Sequence, residues 1–127
     1  MSPIGRDMNK RQRIKTKTGG LCAYCGKALV EPGWHIDHVD ATWRGRADKG
    51  GNEDESNLLP ACARCNRWKK VLSPDAFRNE IDAQFERLYR DSAGFRLAVD
   101  YGVIERSGRS ARFYVEAPLV SANTDEQ

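Results

Sequence analysis

The sequence has 127 residues, 39% of them hydrophobic and 31% charged, which suits one small folded domain with a modest core. No apolar run approaches the ~20 residues of a membrane span, and no apolar stretch follows the basic N-terminus as a secretory signal requires. The expectation is therefore a cytoplasmic protein with no membrane partner.

The net charge of +3 is uneven. Residues 1–72 hold 14 Lys/Arg against 8 Asp/Glu, and residues 73–127 hold 7 against 10. A basic first half suits a polyanionic partner bound on one side. Within it, Arg6, Lys10, Arg11, Arg13, Lys15 and Lys17 face only Asp7, ahead of Gly19-Gly20. Residues 1–19 read as a basic arm or short helix. It is either a phosphate-contacting segment, through Lys10, Arg11 and Arg13, or a solvated tail.

Cys22-Ala23-Tyr24-Cys25 comes next, followed by Gly26 for a tight turn. Val30 to Gly33 reads as a turn. Trp34 to Val39 alternates as a strand, with Ile36 as a core candidate. Ala41 to Ser56 is polar, has no period and reads as a loop. Its Arg44, Arg46 and Lys49 are candidates for a substrate groove, against plain solvent exposure.

Asn57 to Pro60 leads into Cys62-Ala63-Arg64-Cys65, and Cys65 to Leu72 reads as a helix. Asn66 shares one face of it with Lys69 and Lys70. Trp68 and Leu72, four apart, read as a core face in preference to a base-stacking platform.

Ser73-Pro74-Asp75 is a helix start, with a capping Ser, Pro at the first position and an acid near the positive dipole end. Phe77, Ile81, Phe85 and Leu88 form the apolar stripe of a core-covering amphipathic helix. Ala93 to Tyr101 reads as a short helix stopped by Gly102, and Arg112 to Glu116 as a terminal strand. The domain plan is an arm at 1–19, a core at 20–72, a helical extension at 73–120 and a disordered tail at 121–127. The fold class is α+β.

Cys22, Cys25, Cys62 and Cys65 are all the cysteines, and they form two CxxC pairs with 36 residues between the pairs. Two residues between thiolates let both sulfurs reach one tetrahedral ion. The alternatives are an iron–sulfur cluster, disulfides or ordinary buried cysteines. The pairing and a reducing compartment favour one structural Zn²⁺. The 36 residues carry the two histidines, His35 and His38, around Asp37. A carboxylate binds a hard cation, and a neutral imidazole takes a proton from water near pH 7. His38 as a hydrogen-bonded structural histidine is the competing reading. A structural role is favoured for His35.

The ordered set CxxC, Asp37-His38, Gly50-Gly51, Asn57-Leu58 and Cys62-x-x-Cys65-Asn66-x-x-Lys69 resembles the HNH endonucleases, a branch of the ββα-metal nucleases, over about residues 20 to 72. The resemblance implies two antiparallel strands and a helix around one divalent ion, braced here by the four-cysteine zinc site. It implies that Asp37 and Asn66 ligate the catalytic ion, that His38 activates water and that Asn57 orients the base. Lys69, with Arg67 and Lys70 beside it, would meet the DNA backbone. An amide ligand at 66 favours Mg²⁺ or Mn²⁺. The function implied is a metal-dependent DNA endonuclease in a bacterial or phage-infected cell. The alternative is a non-catalytic zinc module that binds nucleic acid. A protein partner or homodimer stays open.

Overall fold

The computed structural model describes residues 8–40 and 54–116. The chain is α+β, with a two-stranded antiparallel sheet and short helices. It divides into two compact units, one of residues 1–74 with 112–127 and one of residues 75–111. Among the described residues no helix is long and apolar enough to cross a membrane.

The first unit opens with α1, Lys10–Thr16. Asn9 caps it in a reciprocal box: its side chain accepts from the Gln12 N–H at 2.9 Å, and the Gln12 side chain accepts from the Asn9 N–H at 2.9 Å. Ile14 is fully buried. The helix ends before Gly19 and Gly20, both at positive φ, where a side chain would be strained.

Strand β1 is His35–His38 and strand β2 is Leu58–Ala61. They pair antiparallel, with His35 opposite Ala61 and His38 opposite Leu58. Pro60 has no N–H to give the ladder, yet its carbonyl accepts from the Ala23 N–H at 2.9 Å. The sheet is thereby tied to the first CxxC turn. Helix α2, Ala63–Lys69, follows β2 at once and packs against both strands. The core of this unit includes Ile14, Cys22, Tyr24, Trp34, Leu58 and Phe113. Ile36, a core candidate by its alternation, is only half-buried.

Residues 112–116 are not a strand. Tyr114–Glu116 form a 3-10 turn. The reason is local. The Tyr114 and Val115 N–H groups each donate at 3.0 Å to the carbonyls of Tyr24 and Ala23 in the first CxxC turn. Phe113 meets the Tyr24 ring edge-on, with centroids 5.0 Å apart. Two backbone bonds and one aromatic contact satisfy the apolar alternation without a ladder.

The second unit holds α3 (Pro74–Asp82), α4 (Gln84–Asp91) and α5 (Ala93–Asp100). The apolar stripe from Phe77 to Leu88 spans two helices, separated at Ala83. Phe77 is buried, while Ile81 and Leu88 are exposed. Phe85 turns to α5 instead, meeting Phe95 at 5.2 Å between centroids. Ser92 caps α5 by accepting from the Phe95 N–H, and Gly102 at positive φ follows its end. Asp82 accepts from the Ala111 N–H at 2.7 Å, which closes the unit.

Candidate metal centre and hydrolytic site

The two CxxC turns meet. The Sγ atoms of Cys22, Cys25, Cys62 and Cys65 all lie within 4.8 Å of one another, with Cys25 and Cys62 3.8 Å apart. A tetrahedron of metal–sulfur bonds near 2.3 Å has edges of about 3.8 Å, so the cluster fits a structural metal such as zinc. The backbone prepares the site. The N–H groups of Tyr24 and Cys62 donate to Cys22 Sγ at 3.4 and 3.3 Å. Cys62 also caps α2, its Sγ accepting from the Cys65 N–H. A hydrogen bond from the Cys65 thiol, helped by the backbone donors, pulls Cys22 down to about 4. The same contact and burial push Cys65 up. A stabilised thiolate is the form a metal takes. Gly26 is needed for closure: its φ is +79°, and a Cβ there would stand 3.3 Å from the Tyr114 ring.

Tyr24, inside the first CxxC turn, links this cluster to β1. Its hydroxyl donates to Asp37 Oδ2 at 2.6 Å. Lys69 on α2 places its ammonium 3.2 Å from the same oxygen and donates to the His38 carbonyl at 3.0 Å. Asp37 is 4% exposed and Lys69 0%. Burial pushes the Asp37 carboxyl up, against the opposing pull of Tyr24 and Lys69. Burial also raises the Tyr24 phenol, with the Asp37 charge adding to it. Tyr24, Asp37 and Lys69 thus form a buried polar triad between the first CxxC turn, β1 and α2.

Asp37 therefore faces α2, the helix that also carries Asn66, which is half-buried one turn before Lys69. His38 is the last residue of β1 and half-buried. Asn57 pins the chain just beyond it. Its side-chain amide donates to the Asp40 carbonyl and accepts from the Asp40 N–H, both at 3.0 Å, and its own carbonyl accepts from the Val39 N–H at 2.8 Å. Adjacent strand residues turn opposite ways. The end of β1 at His38 is where that constraint relaxes. His35 is exposed at the other end of the strand.

Two groups of expected nucleic-acid contacts are placed differently from the sequence reading. Lys69, expected at a phosphate, is buried on Asp37. The basic residues of α1 are largely spent within the fold. Arg11 stacks 3.9 Å over the Trp34 ring and pairs with Glu31. Arg13 makes two bonds to the Glu55 carboxylate, at 3.2 and 2.6 Å, and Lys17 donates to the Leu58 carbonyl at 2.8 Å. Lys10 is exposed. Arg44, Arg46 and Lys49, like the tail at 121–127, lie outside the described residues.

Helix α2 differs. Arg67 and Lys70 are exposed and make no ion pair among the described residues. Trp68, expected in the core, is 49% exposed. The sequence signal for this was present: α2 carries Arg64, Arg67 and Lys69, Lys70 follows, and no acid lies from 61 to 72.

No curated protein matches the chain. Residues 22–71, which span both CxxC turns, both strands and α2, match the family described as HNH endonuclease.

Proposed function

We propose that the protein is a metal-dependent DNA endonuclease that hydrolyses phosphodiester bonds. The observation that carries this reading is the juxtaposition of β1 and α2 within the family match: Asp37 is buried toward the helix of Asn66, with His38 next to it and Asn57 bracing the strand end. Zinc is the metal we assign to the four cysteines.

One carboxylate and one amide are a hard donor set. Asp37 and Asn66 would hold Mg²⁺ or Mn²⁺, which when bound would supply positive charge to the scissile phosphate. The contacts of Asp37 with Tyr24 and Lys69 both fall on Oδ2, so Oδ1 is the oxygen offered. Lys69 balances the carboxylate charge and ties the His38 backbone to α2. His38 takes a proton from water as the water oxygen bonds to phosphorus and the P–O3′ bond breaks. Proton transfer of this kind contributes ~10²–10⁴-fold. Arg67 and Lys70 meet neighbouring phosphates; Lys10, Arg44 and Arg46 are secondary candidates.

The test is cleavage of supercoiled plasmid by metal-loaded protein with Mg²⁺, Mn²⁺ or neither, beside His38→Ala. The expected result is ion-dependent cleavage that falls by ~10²-fold or more in the variant while zinc content and circular dichroism hold. Equal cleavage in the variant would remove His38 from the chemistry. Binding without cleavage under either ion would favour a non-catalytic nucleic-acid-binding module.

A further inference from the structure

Helix α2 has two functional faces. Cys65 and Lys69, four apart, are its buried residues. Arg64, Arg67 and Trp68 share another face by three- and four-residue spacing, and all three are exposed, as is Val71 just beyond the helix. The Trp68 ring is 49% exposed. Its sequence neighbours are basic. No acid lies between residues 61 and 72, and Arg67 makes no ion pair among the described residues. Arg64 instead lies against the sulfurs of Cys25 and Cys65. On α1, by contrast, the Arg11 and Arg13 charges are met by Glu31 and Glu55.

We propose that Trp68 is a stacking platform for an unpaired base of the nucleic-acid substrate, with Arg67 holding a flanking phosphate. This rests on the endonuclease reading and narrows its substrate class. An indole stacks on any base whose π face is open, and a base inside an intact duplex has none to offer. The preferred substrate is therefore single-stranded or locally unpaired nucleic acid. Charge complementarity selects this occupant over an apolar protein surface: the indole is flanked by cations, as in single-strand binding grooves.

The experiment uses the full metal-loaded chain without added Mg²⁺ or Mn²⁺. Anisotropy measures its binding to a labelled oligothymidylate and to a blunt duplex, across a salt series. Trp68→Leu should weaken single-strand binding by about 5- to 150-fold, the range of one lost base stack. Its salt slope should match wild type. Trp68→Phe, which keeps an aromatic face, should recover most of the loss. Arg67→Gln should lower the salt slope by about 0.7, as loss of one phosphate contact does on a single strand. Zinc content and circular dichroism confirm that each variant is folded.

Equal oligothymidylate binding by wild type and Trp68→Leu would overturn the inference. So would a Trp68→Phe loss as large as that of Trp68→Leu, or a Trp68→Leu effect confined to self-association in sedimentation. If wild type binds and cleaves duplex plasmid but Trp68→Leu changes nothing, only this inference falls. If wild type binds no nucleic acid at all, the endonuclease reading falls with it.

Discussion

The Lys69–Asp37 pair is open to a sharp test, because both charges are out of water. At 3.2 Å and an effective dielectric of about 20, the attraction is ~5 kcal/mol. Desolvating both ions takes back much of that, so the pair itself adds little net stability. Breaking it is a different matter. Lys69→Met leaves the Asp37 carboxylate with Tyr24 alone, and Asp37→Asn leaves an ammonium with no exposure and no counter-charge. Each single change should cost ~3–5 kcal/mol, while the double variant Asp37→Asn/Lys69→Met should fall well short of the sum, with a coupling of ~2–3 kcal/mol. Urea unfolding of the metal-loaded proteins, followed by circular dichroism, measures all four corners.

The pH dependence has a fixed sign. Burial already raises the Asp37 carboxyl, and Lys69→Met removes a group that holds it down. A carboxyl whose folded pKa exceeds its unfolded value of ~3.9 binds more protons when folded. The deficit of Lys69→Met relative to wild type should be full above the variant's folded pKa and shrink as pH falls from there to the wild-type folded value. Additive single changes, or a deficit that grows on acidification, would refute the pairing.

Tyr24→Phe removes one hydrogen bond to the same carboxylate. It should cost ~1.5–3 kcal/mol in urea unfolding without loss of zinc. Asn57→Ala removes two bonds to the Asp40 backbone. Plasmid cleavage should drop while zinc content holds, since the strand end beside His38 loses its brace. The Arg13 hydrogen bond holds the Glu55 carboxyl below its usual range. That contribution is present above ~4.3 and lost as pH falls through the folded value. Glu55→Gln should therefore flatten the acid limb of melting temperature against pH relative to wild type. A chelator should collapse the circular dichroism of the first unit, and Co²⁺ reconstitution should restore it with the thiolate absorption of a tetrahedral four-sulfur site; an unaltered spectrum after complete metal removal would contradict a folding role for the metal.

What was legible in the sequence follows the range of the forces involved. The CxxC pairs are local patterns, and their geometry follows from the two residues between the thiols. The fate of Lys69 depends on Asp37, 32 residues away in sequence, and a lysine three residues after Asn66 looks like a surface cation until that partner is placed. Arg11 and Arg13 hide their role for the same reason, since Glu31 and Glu55 are distant in the chain. Trp68 misleads on a different ground. Its pairing with Leu72 assumes one continuous helix, but α2 ends at Lys69, and Lys70 turns to φ +50°. Beyond that turn, four-residue spacing no longer means a shared face. The strand expected at 112–116 shows the converse case, where the alternation is real but its hydrogen-bond partners are turn carbonyls.

These placements converge on one short element. Helix α2 has seven residues, too few to be stable alone in water. Its order must come from what it touches. Cys62 caps it and Cys65 lies in its first turn, so the sulfur cluster fixes its start. Lys69 in its last turn is fixed by Asp37, so the buried pair anchors its end. Asn66 lies between these two anchors, and its position relative to Asp37 is set by both. The outer face, with Arg64, Arg67 and Trp68, is presented by the same two anchors. Loss of the metal should then do more than unfold a brace. It should free the helix start and remove the proposed platform and the Asn66 side of the proposed hydrolytic site together. Loss of the Lys69–Asp37 pair should loosen the helix end while leaving the sulfur cluster closed. The first lesion should abolish oligonucleotide binding and cleavage in parallel. The second should impair cleavage and weaken binding as well, because Asp37 loses its partner and Arg67 and Trp68 lie in the last turn that Lys69 anchors.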